Sequence, residues 1–374
     1  MHTLHGPFYN GGNYRIDVVD GGLDRNARRA EQISMSPEFQ ALGETDMDDW
    51  LQQVNEPCSL MEADGYRFEY KITRPAADAE TRVAISTISS GMSNVWGAGN
   101  LFEQGLRVLP DWKAGNKPEV QELYVSSPGN GLSSPFTSAE MSYFQKTGRL
   151  TYERDGKTYP VPLVAALGRA LQRQDIDVAY IDADSFGAIV GTALGVAIGG
   201  NRIKQIFQNG RPQLESLSLA RLAVGMAIEA KVTNGRNEKR SPDAWAITEA
   251  RKAQARRLAP RVFSEGATPT VSGRDLRVLA DGLRKGPRHR DPLLKDMVAL
   301  AHANPAIQIG MVNGEFDPLL KGEYPYGRAF QIARQLSGID EVQVRLIDIP
   351  ESHGWHSFFP GLRDAVRRAA FARQ

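Results

Sequence analysis

Tyr180-Ile181-Asp182-Ala183-Asp184-Ser185-Phe186-Gly187-Ala188 is the stretch on which the fold of this 374-residue chain turns. Val178 to Ile181 reads as a short buried strand, and Ala188 to Gly200 as an apolar helix. A serine at that junction sits on a tight strand-to-helix turn that pushes its hydroxyl out of the backbone. Such a turn accepts only small side chains two residues either side of its apex, where the flanks pack together. Ala183 and Gly187 meet that demand around Ser185. An apex at Asp184 would crowd Asp182 and Phe186 instead, which disfavours an aspartate nucleophile.

Outward from this turn, apolar runs alternate with helical patterns. Upstream, Tyr66 to Ile72 (YRFEYKI) alternates like a strand with one exposed face. Arg82 to Ile88 and Glu122 to Ser126 read as two further strands, and Val161 to Gln172 as an amphipathic helix. Downstream come strands at Ile203 to Gln208, Ala306 to Val312 and Val342 to Ile349, then a closing amphipathic helix from Gly361 to Arg373. Strands alternating with helices predict an α/β protein with a mainly parallel sheet and helices on both faces.

Strand signals vanish between Pro212 and Asn304, where Leu214 to Lys231, Pro242 to Leu258 and Gly273 to Leu283 are helical in pattern. Residues 212–304 are therefore expected to form a helical cap over the carboxyl edge of the sheet. Residues 1–60, with helical patterns from Arg25 to Ile33 and near Met47 to Val54, read as an extension wrapped on the body. The core is then split into residues 61–211 and 305–374. Gly187, Gly191, Gly195 and Gly199 recur every four positions, putting a bare stripe on one helix face for close approach to the sheet.

Composition narrows the classes of function. Charged residues make 24% of the chain and apolar ones 41%, ordinary for a soluble globular protein. A net charge of +1 argues against a general nucleic-acid binder, which is normally markedly basic. Cys58 is the single cysteine, so neither an intrachain disulfide nor a cysteine-based metal cluster is expected. No basic-then-apolar leader opens the chain, and its longest apolar stretch is too short to span a bilayer. A soluble, cytoplasmic protein is the expectation.

Charge is unevenly distributed, however. Residues 1–80 hold 15 Asp and Glu against 7 Lys and Arg, whereas residues 212–304 hold 17 Lys and Arg against 10 Asp and Glu. These are two solvated surfaces, or an acidic front segment docking on a basic insertion within one chain or between subunits of a homo-oligomer.

A serine hydroxyl becomes a nucleophile when a base takes its proton and a third group orients that base. On a sheet of this kind the expected order is nucleophile, acid, histidine. The strand Ile307 to Val312 runs into Asn313-Gly314-Glu315-Phe316-Asp317-Pro318, and the strand Val342 to Ile349 into Pro350-Glu351-Ser352-His353-Gly354-Trp355-His356. Each brings its acid or histidine to the carboxyl edge beside Ser185, where a binding crevice is expected. Glu315 competes with Asp317 for the acid, and His356 with His353 for the base.

These features together resemble the α/β-hydrolase superfamily over roughly Tyr66 to Gln374. Ala183-Asp184-Ser185-Phe186-Gly187 is similar to the family's nucleophile elbow, with alanine in place of the usual first glycine. Gly314-Glu315-Phe316-Asp317 is similar to its Gly-x-x-Asp acid turn, and Pro360 follows His353 by seven residues as in many members. Ser127-Pro128-Gly129-Asn130-Gly131-Leu132-Ser133 resembles the family's glycine-rich turn after its fourth strand.

The resemblance implies Ser185 as nucleophile, His353 as general base and acid, and Asp317 as its orienter. It also implies an oxyanion hole from the backbone N–H groups of Phe186 and Met92, although Ser90-Gly91 stands where the family has His-Gly. The function implied is hydrolysis of a carboxylic ester through an acyl-enzyme, with a small-molecule substrate and no metal or organic cofactor. Acyl transfer, thioester or lactone cleavage, C–C hydrolysis and a non-catalytic binding module remain open alternatives. His289 and His302 read as structural, Asp184 as a surface residue, and Trp96, Trp245 and Trp355 as buried packing or pocket lining.

Overall fold

A computed structural model describes residues 2–4, 16–20, 59–72, 83–88, 120–129, 132–173, 177–209, 292–314 and 343–349. The strands among them are β1 (His2–Leu4), β2 (Ile16–Asp20), β3 (Ser59–Ala63), β4 (Tyr66–Ile72), β5 (Val83–Ile88) and β6 (Val120–Val125). They continue with β7 (Thr151–Arg154), β8 (Lys157–Pro160), β9 (Asp177–Asp184), β10 (Gln205–Asn209), β11 (Gln308–Gly314) and β12 (Gln343–Ile349). The helices are α1 (Ser138–Thr147), α2 (Pro162–Arg173), α3 (Phe186–Ile198) and α4 (Pro292–Ala303).

Ten strands form one sheet in the order β1-β2-β12-β11-β10-β9-β5-β6-β4-β3. From β2 through β6 every neighbouring pair is parallel. The pairs β4–β6, β3–β4 and β1–β2 are antiparallel. The chain passes from β5 outward to β6, then returns to β9 on the other side of β5. That exchange puts β9, the strand leading to Ser185, near the middle of the sheet.

The expected strands are all present, each within a few residues of its predicted bounds, and β4 spans Tyr66–Ile72 as read. The acidic front segment, read with helical patterns alone, also supplies strands: β2 adds in parallel to β12, and β1 closes that edge. The helices expected at Arg25 to Ile33, Met47 to Val54, Leu214 to Lys231, Pro242 to Leu258, Gly273 to Leu283 and Gly361 to Arg373 lie outside the described residues.

Two hairpins turn on Asp-Gly. Asp64 and Gly65 between β3 and β4, and Asp155 and Gly156 between β7 and β8, all have positive φ, from 51 to 82°. Two successive left-handed residues match the right-handed twist of the strands they join. The β7–β8 hairpin lies between α1 and α2, and its Tyr152 and Tyr159 rings stack with centroids 5.9 Å apart.

α1 begins in a reciprocal cap. Thr137 Oγ1 accepts from the Glu140 N–H at 3.2 Å, and the Thr137 N–H donates to Glu140 Oε2 at 2.7 Å. The other oxygen of Glu140 accepts from the Leu163 N–H at 2.7 Å, so one buried carboxylate serves the first turns of α1 and α2. Pro162 opens α2, where its missing N–H costs nothing. Leu163, Val164, Ala166, Leu167, Ala170 and Leu171 give α2 a buried face.

α3 lies between α2 and α4 over β9 and β10. A Cβ at Gly168 of α2 would meet Ala197 Cβ of α3 at 3.0 Å, and one at Gly195 of α3 would run into Leu300 Cδ1 of α4. The tightest approach that Gly195 permits is therefore to a neighbouring helix, with the sheet (Ile181 Cδ1, 3.7 Å) behind it. Gly199 ends the helix with φ 51° instead of continuing the stripe.

α4 falls within residues 212–304, yet it packs on α3 and leads directly into β11. It is fastened at both ends. The carboxylate of Asp296, 1% exposed, accepts from Arg149 Nε at 2.9 Å and from Thr151 Oγ1 at 2.7 Å. Asn304, just past the C-terminus, donates through Nδ2 to the Gly195 carbonyl at 3.0 Å and accepts the Ile203 N–H on Oδ1 at 3.2 Å. Burial opposes the charge on Arg149, but the Asp296 carboxylate outweighs it and holds the guanidinium above its ordinary pKa. His302, read as structural, lies exposed on α4.

Candidate active site

β9 carries its chain into the core and ends at Asp184, and α3 begins at Phe186. One residue joins them. Ser185 has φ 52° and ψ −123°, a backbone conformation that residues with a Cβ avoid. Asp64, Asp155 and Asn201 are the other non-glycine residues with positive φ among the described residues, and each is an Asp or Asn in a turn. Ser185 lacks the carboxylate or amide that eases the left-handed region for those residues.

The reversal is tight, and its flanks explain why it can form. Ala183 is fully buried and Gly187 is buried, so the positions two residues either side of the apex carry almost no side chain into the crowded turn. The apex is Ser185 and not Asp184, which remains within the strand. Ser185 makes no side-chain cap bond to its own helix. Its residue is half-buried, and its hydroxyl is not committed to closing the first turn.

Asp184 was expected at the surface, but it is 1% exposed, and Asp182 is 2% exposed. The reason is positional. In register, Asp182 pairs across to Thr87 on β5 and Phe207 on β10, and Asp184 to Asn209. Central strands of a parallel sheet are covered on both faces, so a polar residue there is buried whatever its type.

Phe186, the first residue of α3, has no carbonyl one turn back to receive its N–H. The helix dipole adds positive character at the same end. A developing negative charge beside Ser185 would therefore meet a donor that is already in place. The Phe186 ring, 6% exposed, is met edge-on by Phe144 of α1 at 5.5 Å and by Phe136 at 6.4 Å, both with interplanar angles of 82°.

This is the α/β-hydrolase fold. The antiparallel strand β4, the exchange of β5 and β6, and the strained serine between β9 and α3 identify it. Solved structures similar to the chain include a hydrolase from Pseudomonas aeruginosa PA01, 16% identical, covering 85% of this chain and 100% of that one with a TM-score of 0.43. A bromoperoxidase from Bacillus anthracis is 12% identical over 85% of this chain and 100% of its own, with a TM-score of 0.48. An esterase from Exiguobacterium antarcticum is 12% identical over 83% and 99%, with a TM-score of 0.44. No family model and no curated protein matches the chain.

In this α/β-hydrolase fold the described residues on either side of the glycine-rich turn after β6 are firmly braced. The Gly129 N–H donates to the Ser134 carbonyl at 3.1 Å, closing the turn on itself. Gly129 has φ 80°, a left-handed conformation that glycine adopts without strain, and it sits beside Pro135. Ser134 is doubly bonded to β4: its N–H donates to the Arg67 carbonyl at 2.8 Å, and its Oγ accepts the Arg67 N–H at 2.9 Å.

Glu69 completes the brace. Its carboxylate accepts from Ser126 Oγ at 2.6 Å, and its N–H donates to Ser133 Oγ at 3.0 Å. In the alternating strand YRFEYKI, Glu69 belongs to the face with Arg67 that was expected to be exposed. It is 2% exposed because the turn folds over that face. A lone acid on the polar side of an amphipathic strand is the only sign of this role that the sequence carries.

The remaining site residues expected from sequence, Asp317, His353 and Met92, lie outside the described residues, as do their rivals Glu315 and His356. β11 and β12, the strands that precede Asp317 and His353, run parallel to β10 and β9 at the same sheet end as Ser185. Among the described residues, no helix is long and apolar enough to cross a membrane.

Proposed function

We propose that this protein is a serine hydrolase that cleaves a carboxylic ester through an acyl-enzyme. The observation that carries the reading is the backbone of Ser185, φ 52° and ψ −123°, at the end of a central strand. A conformation that costs of the order of 1–3 kcal/mol persists where its surroundings impose it, and such strain clusters at functional sites. The same reading is supported by the helix N-terminus that follows Ser185 and by β11 and β12, whose carboxyl ends lie at the same end of the sheet.

In this reading Ser185 Oγ attacks the ester carbonyl carbon while His353 takes its proton, and Asp317 holds the imidazole in the required tautomer. The N–H groups of Phe186 and Met92 bind the oxyanion. His353 returns the proton to the leaving alkoxide, which departs as the alcohol. Water then attacks the acyl group, with the same histidine taking its proton, and the acid and free Ser185 are released. Because His353 must be neutral to accept a proton, activity rises with pH through the imidazole pKa, ordinarily about 6.5. A flat profile between about pH 5 and 8 speaks against the assignment.

A fluorophosphonate probe tests the nucleophile directly. The wild-type chain is expected to be labelled and Ser185→Ala to be inert. Equal labelling of both would remove Ser185, and labelling of neither would favour a binding module built on the same fold.

A further inference from the structure

We propose that Phe136 is a positioning residue that keeps the Phe186 N–H aimed at the oxyanion, acting through the Phe186 ring. The inference rests on the reading of Ser185 as nucleophile. Phe186 contributes its backbone to the site and its side chain to the core, so whatever locates the ring also locates the first turn of α3. Two rings meet it edge-on at 82°. Phe144, 5.5 Å away and fully buried, belongs to the core, whereas Phe136, 6.4 Å away, is half-buried and comes from the braced turn after β6.

Edge-to-face pairs have a preferred geometry and contribute beyond the area they bury. Phe136 can hold Phe186 only if it is itself held, and the turn provides that support. Gly129 is bonded to Ser134, Ser134 is bonded twice to Arg67, and Glu69 fastens Ser126 and Ser133. Pro135, beside Gly129, has its own φ fixed by its ring, which restricts the backbone immediately before Phe136. A continuous set of contacts therefore runs from β4 through this turn to the ring of Phe186. A mobile surface ring would not do this.

Phe136→Ala should lower kcat for a p-nitrophenyl ester about tenfold per fluorophosphonate-titrated site, with little change in KM, because a misaimed donor loses part of an oxyanion contact. Phe136→Leu should recover part of the loss. The thiono analogue separates aiming from general damage, since a developing thiolate accepts hydrogen bonds weakly. Its rate should fall much less than that of the oxygen ester, so the ratio of the two rates drops in Phe136→Ala and partly returns in Phe136→Leu. An equal fall for both esters, or no fall per titrated site, would overturn the proposal while leaving Ser185 in place. Failure of the wild-type chain to label at Ser185 would overturn both.

Discussion

At the start of α3 the chain is held in a backbone conformation that costs energy, whereas α4, packed alongside it, is held by groups that lower it. Ser185 carries φ 52° with no cap bond from its own side chain. Asp296 accepts two bonds from Arg149 and Thr151 in a buried ion pair, and Asn304 fastens the far end of α4 to Gly195 and Ile203. Between them, Gly195 lets Leu300 close against α3. α3 is strained at its start, where it carries the candidate nucleophile, whereas α4 is tied down through Asp296 and Asn304 and supplies rigidity against which strain can persist.

That contrast predicts a double dissociation, and the largest effect is at the strained end. Ser185→Ala should abolish esterase turnover, by a factor on the order of 10⁶ if the serine acts within a triad, while its thermal unfolding stays close to wild type. A variant that retains more than about a hundredth of the wild-type rate would break the comparison at once.

Next comes the bonded helix, α4. Asp296→Ala leaves Arg149 charged and buried without its main partner, and should cost about 3–5 kcal/mol in denaturant unfolding. Replacing both members, Arg149→Met with Asp296→Leu, should recover most of that loss. If the double variant were as unstable as the single one, the anchor would depend on more than the charge pair.

Gly195→Ala forces a methyl group into Leu300, and should cost about 1–3 kcal/mol, part of it restored by Leu300→Ala. An unchanged midpoint would show that α4 yields easily. Ser185→Gly, which suits a positive φ, should be more stable than Ser185→Ala by about 1 kcal/mol. No difference between those two variants would mean that the turn stores no strain.

The smallest effect concerns Tyr143, whose hydroxyl donates to the Thr151 carbonyl at 2.8 Å beside the anchor. Burial raises its pKa above the ordinary 10.0, with Arg149 pulling the other way. Its contribution is fully present below about pH 10 and is lost as pH climbs toward the raised value, because the unfolded chain deprotonates first. Tyr143→Phe should flatten this alkaline loss of stability, at a cost of about 1 kcal/mol near neutrality. Melting temperatures measured across that range would show it.

Much of this was legible in the sequence because it is local. The small residues at Ala183 and Gly187 mark the apex of the turn, since a two-residue flank decides whether the reversal can close. The β4 pattern Tyr66–Ile72 and the Asp155-Gly156 hairpin signal are equally local, although the latter is legible only to a reader looking for short hairpins within a helical stretch. What was not legible depends on partners far apart in the chain. Glu69 looks exposed until Ser126 and Ser133 cover it, Asp184 looks exposed until neighbouring strands flank it, and nothing near Arg149 announces Asp296, 147 residues away.

By itself, the order of residues determined an alternating strand and helix chain with a serine at a reversal that only small neighbours permit, because steric exclusion over five residues needs no further context. Tertiary structure alone decided which polar groups became buried, how the turn after β6 braces Phe136 against Phe186, and that Gly195 faces α4. These depend on which surfaces the sheet order brings together, and burial and hydrogen bonding have no meaning until both partners are in place.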